Sequence, residues 1–218
     1  ARRPPYLGCV RMPFVRDPPT AGADALVQPA RDLVEGEVLP KAAAMESAAE
    51  FPREVFRTLG KAGLLGLAYP EEYGGGGQPY EVYLQVLEEL ARGWAGLAVG
   101  VSVHTLSCFP VAQWGNEEQK QRWLPEMLGG DLLGAYCLSE AHSGSDAAAL
   151  STKAVRDGAD YVVDGAKAWV THGGHADFYN LMVRTGDTGP GGISCLFADA
   201  TTPGLLPQPP EKKMGMRS

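Results

Sequence analysis

Cysteine is scarce. Cys9, Cys108, Cys137 and Cys195 are spread over 218 residues, and no two have the close spacing of a zinc or redox motif. Scattered free thiols in a reducing compartment are the direct reading. Excess positive charge is also missing. The 19 Lys and Arg residues face 26 Asp and Glu, a net charge of −7, which argues against a nucleic-acid partner. No Gly-x-Ser-x-Gly elbow and no Gly-x-x-x-x-Gly-Lys phosphate loop occurs. Asp, Glu, Lys and Arg are absent from residues 93–116, a stretch long enough to span a bilayer. It holds four glycines, a proline, a histidine and several hydroxyls, so we expect a buried helix running into a loop and no membrane span. Arg2-Arg3 is followed by no apolar core of a signal peptide.

What is present is ordinary for a globular chain: 44% hydrophobic and 21% charged residues, enough for one large domain or two modest ones. Residues 1–22, rich in Pro and Arg, read as a flexible tail. Residues 23–131 read as helices. Leu26, Ala30, Leu33, Val34 and Val38 recur at near-helical spacing, interrupted by Pro29. Residues 53–65 place Val55, Phe56, Leu59 and Ala62 on one side, and the glycine run 74–77 stops the pattern. A third helix is expected over about 79–104. Asn116-Glu-Glu-Gln119 has the form of a capping box, and Gly129-Gly130 offers a left-handed stop.

From Leu132 to Ser218 the period becomes two. Runs at 151–156, 161–163 and 167–172 are separated by Asp157-Gly158 and Asp164-Gly165, both suited to two-residue hairpins. Runs at 178–184 and 193–198 follow. The expected fold class is therefore α+β: an all-α domain followed by an antiparallel β-sheet or barrel.

The stretch Ala135-Tyr-Cys-Leu-Ser-Glu-Ala-His-Ser-Gly-Ser-Asp146 leaves an apolar strand for a small, polar turn. By itself it reads as a hydroxyl-rich turn bonding its own backbone. A serine beside a histidine in sequence is not a triad, whose members meet through separate elements. His172-Gly-Gly-His175 supplies too few ligands for a metal, and we expect both to be exposed loop histidines. Glu140 is expected to cap the turn.

Tyr136 to Asp146 nevertheless resembles the flavin signature of the acyl-CoA dehydrogenase family, Tyr-Cys-(apolar)-(Thr/Ser)-Glu-Pro-x-x-Gly-Ser-Asp. Asp164-Gly-Ala-Lys-Ala-Trp-Val-Thr-His-Gly-Gly174 is similar to that family's next block, Asn-Gly-x-Lys-x-Trp-(Ile/Val)-Thr-Asn-Gly-Gly. Gly63-Leu-Leu-Gly66, Pro70-Glu-Glu-Tyr-Gly-Gly75, Asn116-Glu-Glu-Gln-Lys120 and Thr202-Pro-Gly204 resemble further family segments, in order. The resemblance covers about residues 26–217.

It implies an FAD-dependent enzyme that dehydrogenates an acyl-CoA between its α- and β-carbons. It implies flavin contacts from Tyr136, Leu138, Ser139, Gly144, Ser145, Trp169, Val170 and Thr171, with Ser145 also meeting the thioester ligand. Leu138 through its backbone and Ser139 through its hydroxyl would meet the ring edge, Thr171 would lie near N5, and Trp169 would pack at the ring. Read without the resemblance, a strand tryptophan is core. Ala141-His142 departs from the family's turn. No residue here matches the family's catalytic glutamate, expected in a C-terminal helical domain absent from these 218 residues, so no catalytic residue is assigned. The implied partners are an electron-transferring flavoprotein and further copies in a homotetramer. The implied location is the cytoplasm, or the mitochondrial matrix in a eukaryote. Two alternatives stay open: a non-catalytic flavin- or acyl-CoA-binding module derived from the family, and an acyl-CoA oxidase.

Overall fold

The computed structural model describes residues 22–217, so nearly all of the expected tail, with Cys9, lies outside the described residues. The apolar spacing after residue 23 forms α1 (Asp24–Leu33), a five-residue π turn (Val34–Val38) and α2 (Leu39–Ala48). Pro29 sits inside α1 and does not end it. It removes one helical hydrogen bond, but Ala30, Val34 and Val38 are fully buried along one stripe and keep the segment docked. α3 (Arg53–Lys61) turns Val55, Phe56 and Leu59 inward.

The single helix expected over 79–104 is two helices, α4 (Tyr80–Gly93) and α5 (Ala95–Trp114). Trp94 breaks them with an extended backbone (φ −158°, ψ 99°), because its ring is buried and its Nε1 donates to Glu46 Oε2 at 3.1 Å. The loop expected after 104 is also helix, continuing through Pro110. Leu97, Val101, Cys108 and Val111 of α5 are buried, and the helix packs against α4, α6 and the first strand. By length and composition α5 could cross a membrane, yet half of its most apolar window lies inside the protein. The capping box forms as expected at α6 (Glu117–Leu128): Gln119 N donates to Asn116 Oδ1 at 2.8 Å and Asn116 N to Gln119 Oε1 at 2.9 Å. Gly130, not Gly129, takes the left-handed conformation after it.

A five-stranded sheet follows: β1 (Gly134–Cys137), β2 (Lys153–Asp157), β3 (Asp160–Asp164), β4 (Phe178–Arg184) and β5 (Ile193–Asp199). A helical domain followed by a β domain is thus the observed order. The sheet, however, is mixed. β4 is central, pairing in parallel with β1 along Phe178–Leu181 and with β2 at Arg184, while β5 lies antiparallel along its other edge. The β2–β3 hairpin forms as expected, with Gly158 at φ 62°. The second expected hairpin does not. Residues 167–172 are no strand, because Trp169 (φ 56°) and His172 (φ 67°) are left-handed and cannot continue a pleat.

Candidate functional site

β1 starts at the seam between helices and sheet. Gly134 has no room for a side chain: a Cβ would lie 2.4 Å from the Phe178 ring and 2.5 Å from Ser107 Cβ. Along the strand Tyr136 is half-buried and Cys137 is buried, and the chain leaves it at Leu138-Ser139. The next turn folds on itself. Glu140 N donates to Ser143 O at 2.8 Å, Ser143 N returns to Glu140 O at 3.1 Å, and Ser143 Oγ donates to Asp146 O at 2.8 Å.

Glu140 anchors this turn from beneath. Its carboxylate is 3% exposed and accepts from Ser151 N and Oγ (both 2.8 Å), from Thr152 N (2.9 Å) and Oγ1 (2.6 Å), and from Lys167 Nζ (2.8 Å). Burial alone would raise its pKa. The Lys167 and Thr152 side chains and the backbone amides of Ser151 and Thr152 outweigh that and hold the carboxyl well below the usual carboxylate range. Glu140 therefore holds the turn together and is unsuited to removing a substrate proton, since a base needs a pKa near the working pH.

Lys167 joins the two motifs. Its Nζ also donates to Leu138 O at 3.1 Å, and Ala168 N donates to Ser139 O at 2.8 Å. The segment after it therefore runs beside Leu138-Ser139. Trp169 is in a left-handed conformation and its residue is 68% exposed, which overturns the core reading of this side chain. Val170 and Thr171 are half-buried, as are Tyr136, Leu138 and Ser139. No described residue hydrogen-bonds the hydroxyls of Ser139, Ser145 or Thr171. Gly144 and Ser145 lie exposed on the turn, and no protein atom comes within 4 Å of where a Gly144 Cβ would sit. Nothing in the protein itself thus requires glycine at 144.

Three features were not legible in the sequence. Lys167 is one; the signal was a lone cation in the second block facing a lone buried acid in the first. Arg53 is another, donating to Asp177 Oδ2 (2.5 Å) and Asp131 O (2.8 Å) across the seam. The third is a correction: His172 is buried, and only His175 is an exposed loop histidine, stacked on Phe51 at 4.3 Å. His172 is drawn inward because its Nδ1 bonds Gly134 O at 2.8 Å.

The arrangement fits a flat, polar-edged ring. An exposed indole and two half-buried hydroxyls with spare bonding capacity lie on two segments that run side by side past the end of β1. Among the described residues no cluster of three potential metal ligands occurs.

Residues 20–131 match the acyl-CoA dehydrogenase N-terminal domain, and residues 135–218 match the acyl-CoA dehydrogenase middle domain. The chain belongs to the acyl-CoA dehydrogenase family. It is 40% identical over 188 residues to an acyl-CoA dehydrogenase of Bacillus subtilis, covering 85% of this chain and 50% of that protein. It is 38% identical to the human mitochondrial short-chain specific acyl-CoA dehydrogenase, covering 88% of this chain and 47% of the relative. Its fold is similar to that of a Mycobacterium smegmatis glutaryl-CoA dehydrogenase in complex with FADH2 (TM-score 0.85, 31% identity, 91% of this chain and 50% of the other). The chain spans about half the length of the curated relatives it matches.

Proposed function

We propose that this chain forms the flavin-binding part of an FAD-dependent acyl-CoA dehydrogenase. The observation that carries this reading is the joining of the two motif segments by Lys167, which leaves Trp169 exposed beside half-buried, unpartnered hydroxyls. A buried strand with a structural tryptophan would show the reverse pattern.

In this reading the Leu138 backbone and the Ser139 hydroxyl bond the polar ring edge, with Tyr136 and Val170 alongside. Trp169 covers the ring and excludes water, and Thr171 presents its hydroxyl at the reactive side. Gly144 lets the ligand approach the turn, and Ser145 bonds the polar tail of the thioester. Bound FAD would supply the hydride acceptor. Glu140 and Lys167 hold the geometry and take no proton from substrate. The groove of about 300 Å³ along α5, lined by Tyr69, Tyr80, Ser102, Thr105, Leu106 and Phe109, is apolar enough for an acyl chain. An electron-transferring flavoprotein as acceptor, assembly into a homotetramer and a cytoplasmic or matrix location complete the proposal.

The test is spectroscopic. Protein mixed with FAD and desalted is expected to keep yellow flavin absorbance at about stoichiometric level, and Trp169→Ala is expected to weaken retention. A protein that stays colourless after incubation with FAD would sink the reading.

A further inference from the structure

Three buried side-chain atoms among the described residues have no hydrogen-bond partner: Arg53 Nε, His172 Nε2 and Asn180 Oδ1. His172 directly follows Thr171, so it alone belongs to the segment assigned to flavin. Its ring is 7% exposed and sits at the seam. Phe56 of α3 meets it edge-on at 5.1 Å, and Phe51 does so at 5.6 Å. Gly100 of α5 lies against it, so closely that a Cβ there would come 2.8 Å from Nε2.

Protonation follows from the partners. Gly134 O accepts only, so His172 Nδ1 carries the hydrogen and donates to it at 2.8 Å. Nε2 is then a bare lone pair facing Gly100 and Phe56. The other end of the same residue, Gly134 N, donates to His104 Nδ1 of α5 at 3.0 Å, which leaves His104 Nε2 to donate to Met127 O at 2.8 Å. Gly134, which opens the strand that carries Tyr136, is thus gripped at both ends. One imidazole comes from the helices and the other from the flavin segment.

We propose that His172 is a positioning residue: its Nδ1–H bond to Gly134 ties the 169–171 segment to the start of β1 and to the helical domain, and so sets how firmly Trp169 and Thr171 hold flavin. The inference rests on the reading of residues 169–171 as flavin contacts.

A second proton on this ring would sit on Nε2, against a glycine and an aromatic edge with no acceptor. The titratable and charged neighbours around the histidine pair are Arg53 from α3, His104 from α5, and His175 and Asp177 from the following segment. Burial pushes His172 down to about 4 against the opposite pull of the Gly134 bond, and a protonated His175 and the Arg53 guanidinium act in the same direction as burial. For a group whose folded value is depressed, the stabilisation is whole above about 6.5 and is lost as pH falls towards the folded value.

The experiment compares FAD affinity, by quenching of flavin fluorescence, for the wild type, His172→Asn and His172→Leu, with melting temperatures recorded alongside. Asn and Leu have side chains of the same branched shape, with Leu the bulkier, but only Asn donates, and Asn tolerates the left-handed backbone. His172→Asn is expected to bind FAD within about threefold of wild type, and His172→Leu about tenfold more weakly, as for one lost buried hydrogen bond. As pH drops from about 6.5 towards 4, wild type is expected to release FAD while His172→Asn holds it further down. Equal affinity of the Leu and Asn variants would overturn the proposal. So would superimposable pH curves for wild type and His172→Asn, a comparison that decides the matter even if the Leu variant does not fold. A wild type that takes up no FAD at any pH would instead overturn the flavin reading, and this inference with it.

Discussion

Single residues carry unequal weight at this site, and the buried pair Glu140–Lys167 carries the most. Both side chains are under 10% exposed, and their charges are compensated by each other and by a fan of donors. A buried pair is no gain over well-packed apolar groups, but removing one member strands the other, at about 3–5 kcal/mol. Lys167→Met is therefore expected to fall at the lower end, about 3 kcal/mol in urea unfolding at pH 7, because four other bonds still serve Glu140. The pH sign follows from Glu140, whose folded pKa is depressed. Its contribution is whole above the ordinary carboxylate value of about 4.3 and disappears as pH falls through the folded one. The gap between wild type and Lys167→Met should narrow on acidification. The narrowing begins only below the variant's own folded Glu140 value, so a gap that stays flat to the lowest pH at which both proteins fold would show that the lysine acts through packing of its stem and not through its charge.

Elements differ in how much of their cause is local. The capping box of α6 and the Asp157-Gly158 hairpin depend on residues two or three apart, and both were legible in the sequence. The break at Trp94 was not, because its partner Glu46 lies in another helix. Residues 167–172 are β-rich like a strand, yet long-range bonds from Ala168 to Ser139 and from His172 to Gly134 pull them out of the pleat. The parallel β1–β4 pairing was hidden for a similar reason: 40 intervening residues separate Cys137 from Phe178, and short turn signals along that path suggest neighbours in sequence, not partners in space. The candidate residues of the site were legible through the family motifs, but what supports them came from contacts across the seam. One such contact can be tested on α3. A Cβ at Gly60 would lie 2.0 Å from Gly129 O and 2.7 Å from Gly130 N, both backbone atoms. Gly60→Ala should gain up to about 1 kcal/mol in helix propensity and lose more than that to overpacking, typically about 1–3 kcal/mol. The expected outcome is a lower melting temperature with the chain at Gly129-Gly130, just after α6, displaced. A more stable variant would show that α3 and α6 separate freely.

At the scale of the whole molecule, the helices and sheet present apolar surface that the described residues do not cover. Leu84, Val99, Leu106, Phe109 and Trp114 are exposed on α4 and α5, and Val155, Tyr161 and Val162 on the β2–β3 hairpin. Exposed apolar side chains of this size and number favour association. The 218-residue chain is therefore expected to self-associate at micromolar concentration, insensitively to salt because burial and not charge drives it. Chemistry should be limited as well. Glu140 lies within the first motif and pairs with Lys167 of the second, and its carboxylate is fully engaged. Without a positioned base, proton removal forgoes about 10²–10⁴-fold in rate. We expect this chain, loaded with FAD and mixed anaerobically with acyl-CoAs of several lengths, to keep its flavin oxidised over minutes. Rapid bleaching that disappears in Glu140→Gln would show instead that the engaged carboxylate is released on substrate binding and serves as the base.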